Sequence, residues 1–404
     1  MAVLLDLPPE LVLHIVSFLN RETVLDKDNW LPAFNHRNRH PELAPDVPSI
    51  NAFSQTNTAL YHTLNRYLYN DICEKHDTIG KLSLLSAVRF QSERALDKLV
   101  AAGVSLDADF VLEYNVCGIL HVAAALGLRA MVSKLLEMYG PEMEAKVHAR
   151  RGYGLNATAL DYAARHRYVE IVWLLAPVPV PSSVSDSTKE RRTYLSFALL
   201  HSVKAKSTEV SEYLVSQGAD VNYLGGDTHG GTPLYFAAGT DNLELVQFLL
   251  SAGANPNLYH DANDSIPLFN AARNHRIDIA EALLAAGADL DAKNRNSRNV
   301  LSCCTDIDAL RFFLEYGVDV NLEDRIGETP LHHACSEEDA EFALASVELL
   351  LQYGAATVEK ANWRRQTPVD IAIAEGYTEI VELLEPLVES SALKDKISMW
   401  LEDT

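Results

Sequence analysis

Apolar residues in this chain fall in short paired stripes, most clearly between residues 231 and 255. Thr232-Pro233-Leu234-Tyr235-Phe236-Ala237-Ala238 is followed by Leu245, Val246, Leu249 and Leu250, then by Gly253-Ala254. The second set recurs at three- and four-residue steps, which predicts a helix with one apolar face. The first set predicts a thinner helix. Thr232 is placed to cap it with its hydroxyl, Pro233 suits a first turn where no N–H is needed, and two alanines let neighbouring helices approach closely. Gly253 supplies the left-handed residue that ends the second helix. The same order returns at Ile266-Pro267-Leu268 with Ala271-Ala272, Leu283-Leu284 and Gly287-Ala288. It returns again at Thr329-Pro330-Leu331-His332 with Ala334, Leu350-Leu351 and Gly354-Ala355.

A period in the low to middle thirties, carried by these residues, resembles the ankyrin type of stacked helix-turn-helix repeat. The expected fold is an all-α ankyrin solenoid of about nine repeats, several of them degenerate, joined by extended fingers. Degenerate or altered units are expected around Leu84 to Gly103, Thr158 to Leu175, Tyr194 to Gly218 and Val300 to Gly317. The unit from Thr329 to Gly354 is lengthened by Glu337-Glu338-Asp339. The boundaries this implies are a small N-terminal helical domain over 1–75, a first repeat block over 79–176, a Pro/Ser-rich loop over 177–190, a second block over 191–388 and a capping helix over 389–404. In that last helix Leu393, Ile397 and Trp400 share one face.

Composition narrows the functional classes. An apolar content of 48% allows a sizeable core. No apolar run reaches the length of a membrane span, and Asp6, Pro8, Pro9 and Glu10 break the opening segment, so no signal peptide is expected there. Five cysteines form no paired framework and no metal spacing, which fits a reducing, cytoplasmic or nuclear setting. The net charge of −22 argues against nucleic acid or an anionic membrane as partner, and favours a protein partner of basic or mixed charge. The basic clusters at His148 to Arg151, Arg191-Arg192 and Arg364-Arg365 are expected to be solvated loop charge.

The N-terminal region departs from the repeat. Leu7, Leu11, Ile15 and Phe18-Leu19 lie along one helix side behind Pro8-Pro9-Glu10, residues 21–48 are polar and proline-spotted, and helical character resumes from Ile50 to Tyr69. Periodicity alone allows a helical cap over the first repeat. The run Leu7-Pro8-Pro9-Glu10-Leu11, with Ile50-Asn51-Ala52-Phe53, Leu60-Tyr61 and Leu64 to Tyr69, resembles an F-box of the fungal proteins that place ankyrin repeats after it. The inserted segment over about 21–48 departs from that pattern. The resemblance implies a non-catalytic substrate receptor of an SCF-type cullin ubiquitin ligase. Leu7, Pro8, Leu11, Ile15 and Leu60 would then bury against a Skp-family adaptor, and through it reach a cullin. The other reading is an ankyrin scaffold or inhibitor with no ubiquitin link.

For the repeats, partner contact is expected on fingers and on the inner-helix face, with Tyr223, Tyr235, Phe236, Tyr259, His260, Arg295, Arg325, His333, Trp363 and Arg364 as candidates. Aromatic and arginine side chains lead among interface anchors, and Trp363 is the sharpest of them. Catalytic readings find no support. His121 and His332 occupy the ankyrin histidine position, where the resemblance implies a hydrogen bond to a neighbouring turn. His36 and His40 lack further metal ligands, Cys303-Cys304 reads as packing, and no phosphate loop or nucleophile elbow occurs. No cofactor and no metal is expected, and the chain is expected to be a monomer by itself.

Overall fold

The computed structural model describes residues 77–112, 115–150, 157–178, 187–225, 230–259 and 265–403. The F-box-like segment 1–75 lies outside these residues. The chain divides into two compact units, 1–194 and 195–404. No helix of the described residues is long and apolar enough to cross a membrane.

In the first unit, α1 (Asp77–Arg89) pairs with α2 (Glu93–Ala101), and a hairpin of β1 (Asp109–Leu112) and β2 (Asn115–Gly118) leads into α3 (Ile119–Ala125) and α4 (Arg129–Tyr139). A short α5 (Met143–Val147) follows, then α6 (Ala159–Arg165) and α7 (Val169–Leu175). Most of the described residues are helical, as an ankyrin solenoid requires, and the hairpin is a local addition to the all-α expectation. Phe110 and Cys117 sit opposite each other in an antiparallel register, and both are buried. Alternation puts their side chains on one face, so a strand pair buries what a helix would expose.

The second unit repeats one construction. Helix α8 (Ser187–Lys204), which crosses the unit boundary at residue 194, begins inside the segment expected to be loop to residue 190. It is followed by α9 (Thr208–Ser216), α10 (Pro233–Ala238), α11 (Leu243–Ser251), α12 (Pro267–Arg273) and α13 (Ile277–Ala285). A 3-10 turn (Val300–Cys303), α14 (Ile307–Glu315), α15 (Pro330–Cys335), α16 (Ala340–Gln352), α17 (Pro368–Glu375), α18 (Thr378–Leu384) and α19 (Ser391–Asp403) complete it. Inner helices pack in series from α10 through α12 and the 3-10 turn to α15 and α17. Outer helices pack as α9–α11–α13 and as α14–α16–α18.

Local chemistry accounts for each pair. The Thr232 hydroxyl accepts from the Tyr235 N–H at 3.1 Å, Pro233 occupies the first turn, and Ala237 and Ala238 are fully buried. Leu245, Val246 and Leu249 are fully buried on α11 while Leu250 is half-buried, and Gly253 follows with φ +90°. Thr158 with Asp161 and Thr367 with Asp370 form reciprocal capping boxes. Ile397 on α19 is fully buried between exposed neighbours, as its spacing predicts.

Asparagines clip each repeat to the next. The Asn222 amide donates to the Gly253 carbonyl at 3.1 Å while its oxygen accepts from the Asn255 N–H at 2.8 Å. Asn257 does the same to Gly287 and Asp289, and Asn321 to Gly354 and Ala356. Each clip satisfies a carbonyl left open at a helix end. Aspartate stands at the corresponding position 291, and a carboxylate has no N–H to give the Gly317 carbonyl. Asp291→Asn is therefore expected to stabilise the chain by about 0.5–1 kcal/mol, one exposed hydrogen-bond pair. Urea unfolding measures it, and an unchanged or lowered midpoint would refute the clip.

Candidate protein-binding surface

Successive fingers of the second unit end in the same turn, built from an asparagine or aspartate. The Asn294 oxygen accepts from the N–H groups of Asn296 and Arg298 at 2.9 and 3.1 Å. Asp324 takes Ile326 and Glu328, both at 2.9 Å, and Asn362 takes Arg364 and Gln366 at 2.9 and 3.0 Å. In every turn the fourth residue, Ser297, Gly327 or Arg365, has a left-handed φ. Gly327 has a second reason to be glycine, because a Cβ there would come 3.4 Å from the Trp363 ring. The turns are joined edge to edge. The Arg325 N–H donates to the Asn296 carbonyl and the Trp363 N–H to the Ile326 carbonyl, each at 2.9 Å.

This frame sets Arg295, Arg325 and Trp363 at the same position of consecutive fingertips, with Arg364 beside Trp363. All four are exposed, Trp363 to 76%. The structure thus brings together four of the expected contact residues. Others lie elsewhere. Tyr223 is half-buried, Tyr259 is exposed, and Phe236 is half-buried beneath Lys204, whose Nζ stands 4.1 Å from the ring centre. Tyr235 is corrected: at 7% exposure, with its ring edge-on to Phe236, it belongs to the packing of α10. His260, and the adaptor candidates Leu7, Pro8, Leu11, Ile15 and Leu60, lie outside the described residues.

Behind the fingertips sits a polar cluster that motif reading missed. Arg298 Nε donates to Asp324 Oδ2 at 2.9 Å and Nη2 reaches Glu328 Oε2 at 3.5 Å. Asn362 Nδ2 donates to the other Glu328 oxygen at 3.1 Å. His333 faces both carboxylates, 3.4 Å from Asp324 and 3.8 Å from Glu328. Burial pushes the Asp324 carboxyl up, but the Glu328 N–H and the Arg298 guanidinium outweigh it and hold it below the usual range. Asp324, Glu328 and His333 bring potential ligand atoms within 4.8 Å of one another. Arg298 already supplies the cation there, so the cluster reads as an internal ion network supporting the turns. The missed signal was an Asn or Asp four residues before the end of each finger turn.

His121 Nε2 lies 3.0 Å from the Ala149 carbonyl, a bond to a neighbouring turn. His332 also caps its own helix: the Thr329 N–H donates to Nδ1 at 3.1 Å, and its ring faces the Gln366 and Lys360 backbone of the next turn. That bond needs an unprotonated Nδ1, and burial correspondingly lowers the His332 pKa; burial and then Arg298 lower that of His333. The unfolded chain therefore takes up protons below about pH 6.5 that the folded chain refuses, so this part of the stability is present above that value and is lost as pH falls through it. Urea melts should show lower stability at pH 5.5 than at 7.5, with a flatter dependence in the double variant His332→Gln/His333→Gln. An equal slope in that variant would exclude these histidines. The buried Cys335 thiol is pushed up to about 12, which makes it a packing group.

A family model described as ankyrin repeats in three copies matches overlapping segments from 182 to 391, more than half of the chain. The chain belongs to the ankyrin-repeat family. Curated relatives include a fowlpox virus ankyrin repeat protein, 30% identical over 38% of this chain and 33% of its own length. The nuclear factor NF-kappa-B p105 subunit of Gallus gallus is 29% identical over 56% of this chain and 23% of its own length. Ankyrin repeat and SOCS box protein 16 of Homo sapiens is 31% identical over 44% of this chain and 40% of its own length. The matches thus span well under half of each of these relatives. Ankyrin repeats imply protein partners, since their stacked units present long side-chain rows.

Proposed function

We propose that this ankyrin-repeat protein is a non-catalytic receptor that holds a protein partner on the fingertips of its second unit. The carrying observation is the exposed row Arg295, Arg325 and Trp363, which identical turns and finger-to-finger backbone bonds hold in place. Such a row loses little freedom on binding, and tryptophan and arginine are the side chains that most often dominate an interface. The partner should be identified by cross-linking the full chain and purifying the adduct. Trp363→Ala/Arg364→Ala is then expected to weaken that partner's binding about thirtyfold or more, in line with the loss of a strong anchor. Undiminished affinity in this doubly substituted chain would move the site off the fingertips.

We further propose that the captured protein is a ubiquitylation substrate. Support comes from the order Leu7-Pro8-Pro9-Glu10-Leu11 followed by ankyrin repeats, which matches the F-box resemblance. A Skp-family adaptor is expected to co-purify with the full chain, and the triple variant Leu7→Ala/Pro8→Ala/Ile15→Ala is expected to lose it. Retention by the triple variant would remove these residues from the docking face. Absence of any adaptor would leave a binding scaffold.

A further inference from the structure

We propose that the fingertip edge takes an acidic segment of the partner, one carrying an aromatic or aliphatic side chain among its carboxylates. This deepens the receptor reading and rests on it. The net charge of −22 suggests the opposite partner, but exposed charges more than about 10 Å away are screened at ordinary salt, so the local sign decides docking.

That local sign is positive. Arg295, Arg325, Arg364 and Arg365 are all exposed along the fingertips. The acids nearest in sequence to Arg325, Arg364 and Arg365 are engaged elsewhere. Asp324 and Glu328 face Arg298, Glu323 pairs with Lys360 at 2.9 Å, and Glu359 accepts from the N–H groups of Glu389 and Ser390. No ion pair joins Arg325, Arg364 or Arg365 to a carboxylate among the described residues. A guanidinium presents a planar fork that matches a carboxylate, which makes Arg325, Arg364 and Arg365 a set of open carboxylate sites. Beside these arginines in the same turns lie Trp363 and Ile326, 76% and 37% exposed. They offer an apolar surface for the non-acidic side chain. A long polyanion such as nucleic acid would meet the acidic remainder of the chain, whereas a short acidic segment need touch only this edge.

The test pans the full-length chain against a displayed random-peptide library. Enriched peptides are then measured by fluorescence anisotropy at low and moderate salt. Expected are sequences with aspartate or glutamate around an aromatic or aliphatic residue, with affinity falling as salt rises. Arg325→Glu/Arg364→Glu/Arg365→Glu should weaken them at least tenfold, and Trp363→Ala should weaken them with the charge intact. Arg94→Glu, an exposed change in the first unit, should leave them unaltered. Basic or uncharged consensus peptides that still require Trp363 would overturn the acidic assignment and leave the receptor reading standing. Acidic peptides indifferent to the triple reversal, or displaced equally well by a single-stranded oligonucleotide, would overturn the assignment as well. No enrichment at all would sink both.

Discussion

Arg298→Ala is expected to cost about 2–4 kcal/mol in unfolding free energy at pH 7.5, in the range for stripping one partner from a buried ion pair. Asp324 has 2% of its side chain exposed and Glu328 16%, and Arg298 is the cation bonded to both. The Asp324 oxygen that accepts two backbone N–H groups also organises the fingertip turn. Loss of the guanidinium therefore leaves one buried and one half-buried carboxylate and loosens the turn that presents Arg325. The pH dependence separates this account from a simple loss of packing. Arg298 helps to keep His333 neutral. Without it, the imidazole between the two carboxylates should protonate more readily and take over as counter-charge. The deficit should thus be larger at pH 7.5 than at pH 5.5, so the variant loses less stability on acidification than the parent chain does. A loss below about 1 kcal/mol, or a deficit that grows on acidification, would contradict the network.

What could be read ahead of the structure was whatever a single repeat decides within itself. Thr232, Pro233 and Gly253 act on neighbours within a few residues, so their roles follow from residue type and offset. The lengthened unit at Glu337 to Asp339 was legible for the same reason: Asp339 caps α16 locally, accepting from Glu341 and Phe342. Features that depend on a second repeat were not. Arg298 meets its partners 26 and 30 residues away, and nothing in a local window pairs it with Asp324. Tyr235 shows the opposite error, since an aromatic residue on a thin inner helix looks available until the neighbouring repeat covers it. Trp363 was legible as exposed because it sits beside two arginines in a turn. Its alignment with Arg325 and Arg295 required the backbone bonds between fingers. The hairpin at Asp109 to Gly118 was hidden by reading the segment only for helical spacing.

Phe313→Ala is expected to cost about 3–5 kcal/mol and to split the unfolding of the second unit into two transitions. Phe313 is 1% exposed on α14, and its repeat is the least self-sufficient of those described in this unit. The inner element opposite it is a four-residue 3-10 turn, Val300–Cys303, where neighbouring repeats have helices of six or seven residues. The same repeat lacks the asparagine clip, because Asp291 stands where Asn257 and Asn321 stand elsewhere. In a stack stabilised by nearest-neighbour contacts, cooperativity lasts only while every junction outweighs the difference in stability on either side. Removing the largest buried side chain of α14 should bring this junction below that limit. Hydrogen exchange would then show α15 to α18 and α10 to α13 opening with different free energies, while they open together in the parent chain. Adding Asp291→Asn should partly restore a single transition, because it strengthens the junction without refilling the cavity. One sharp transition in Phe313→Ala, unaffected by the added asparagine, would show that the coupling runs through contacts other than these.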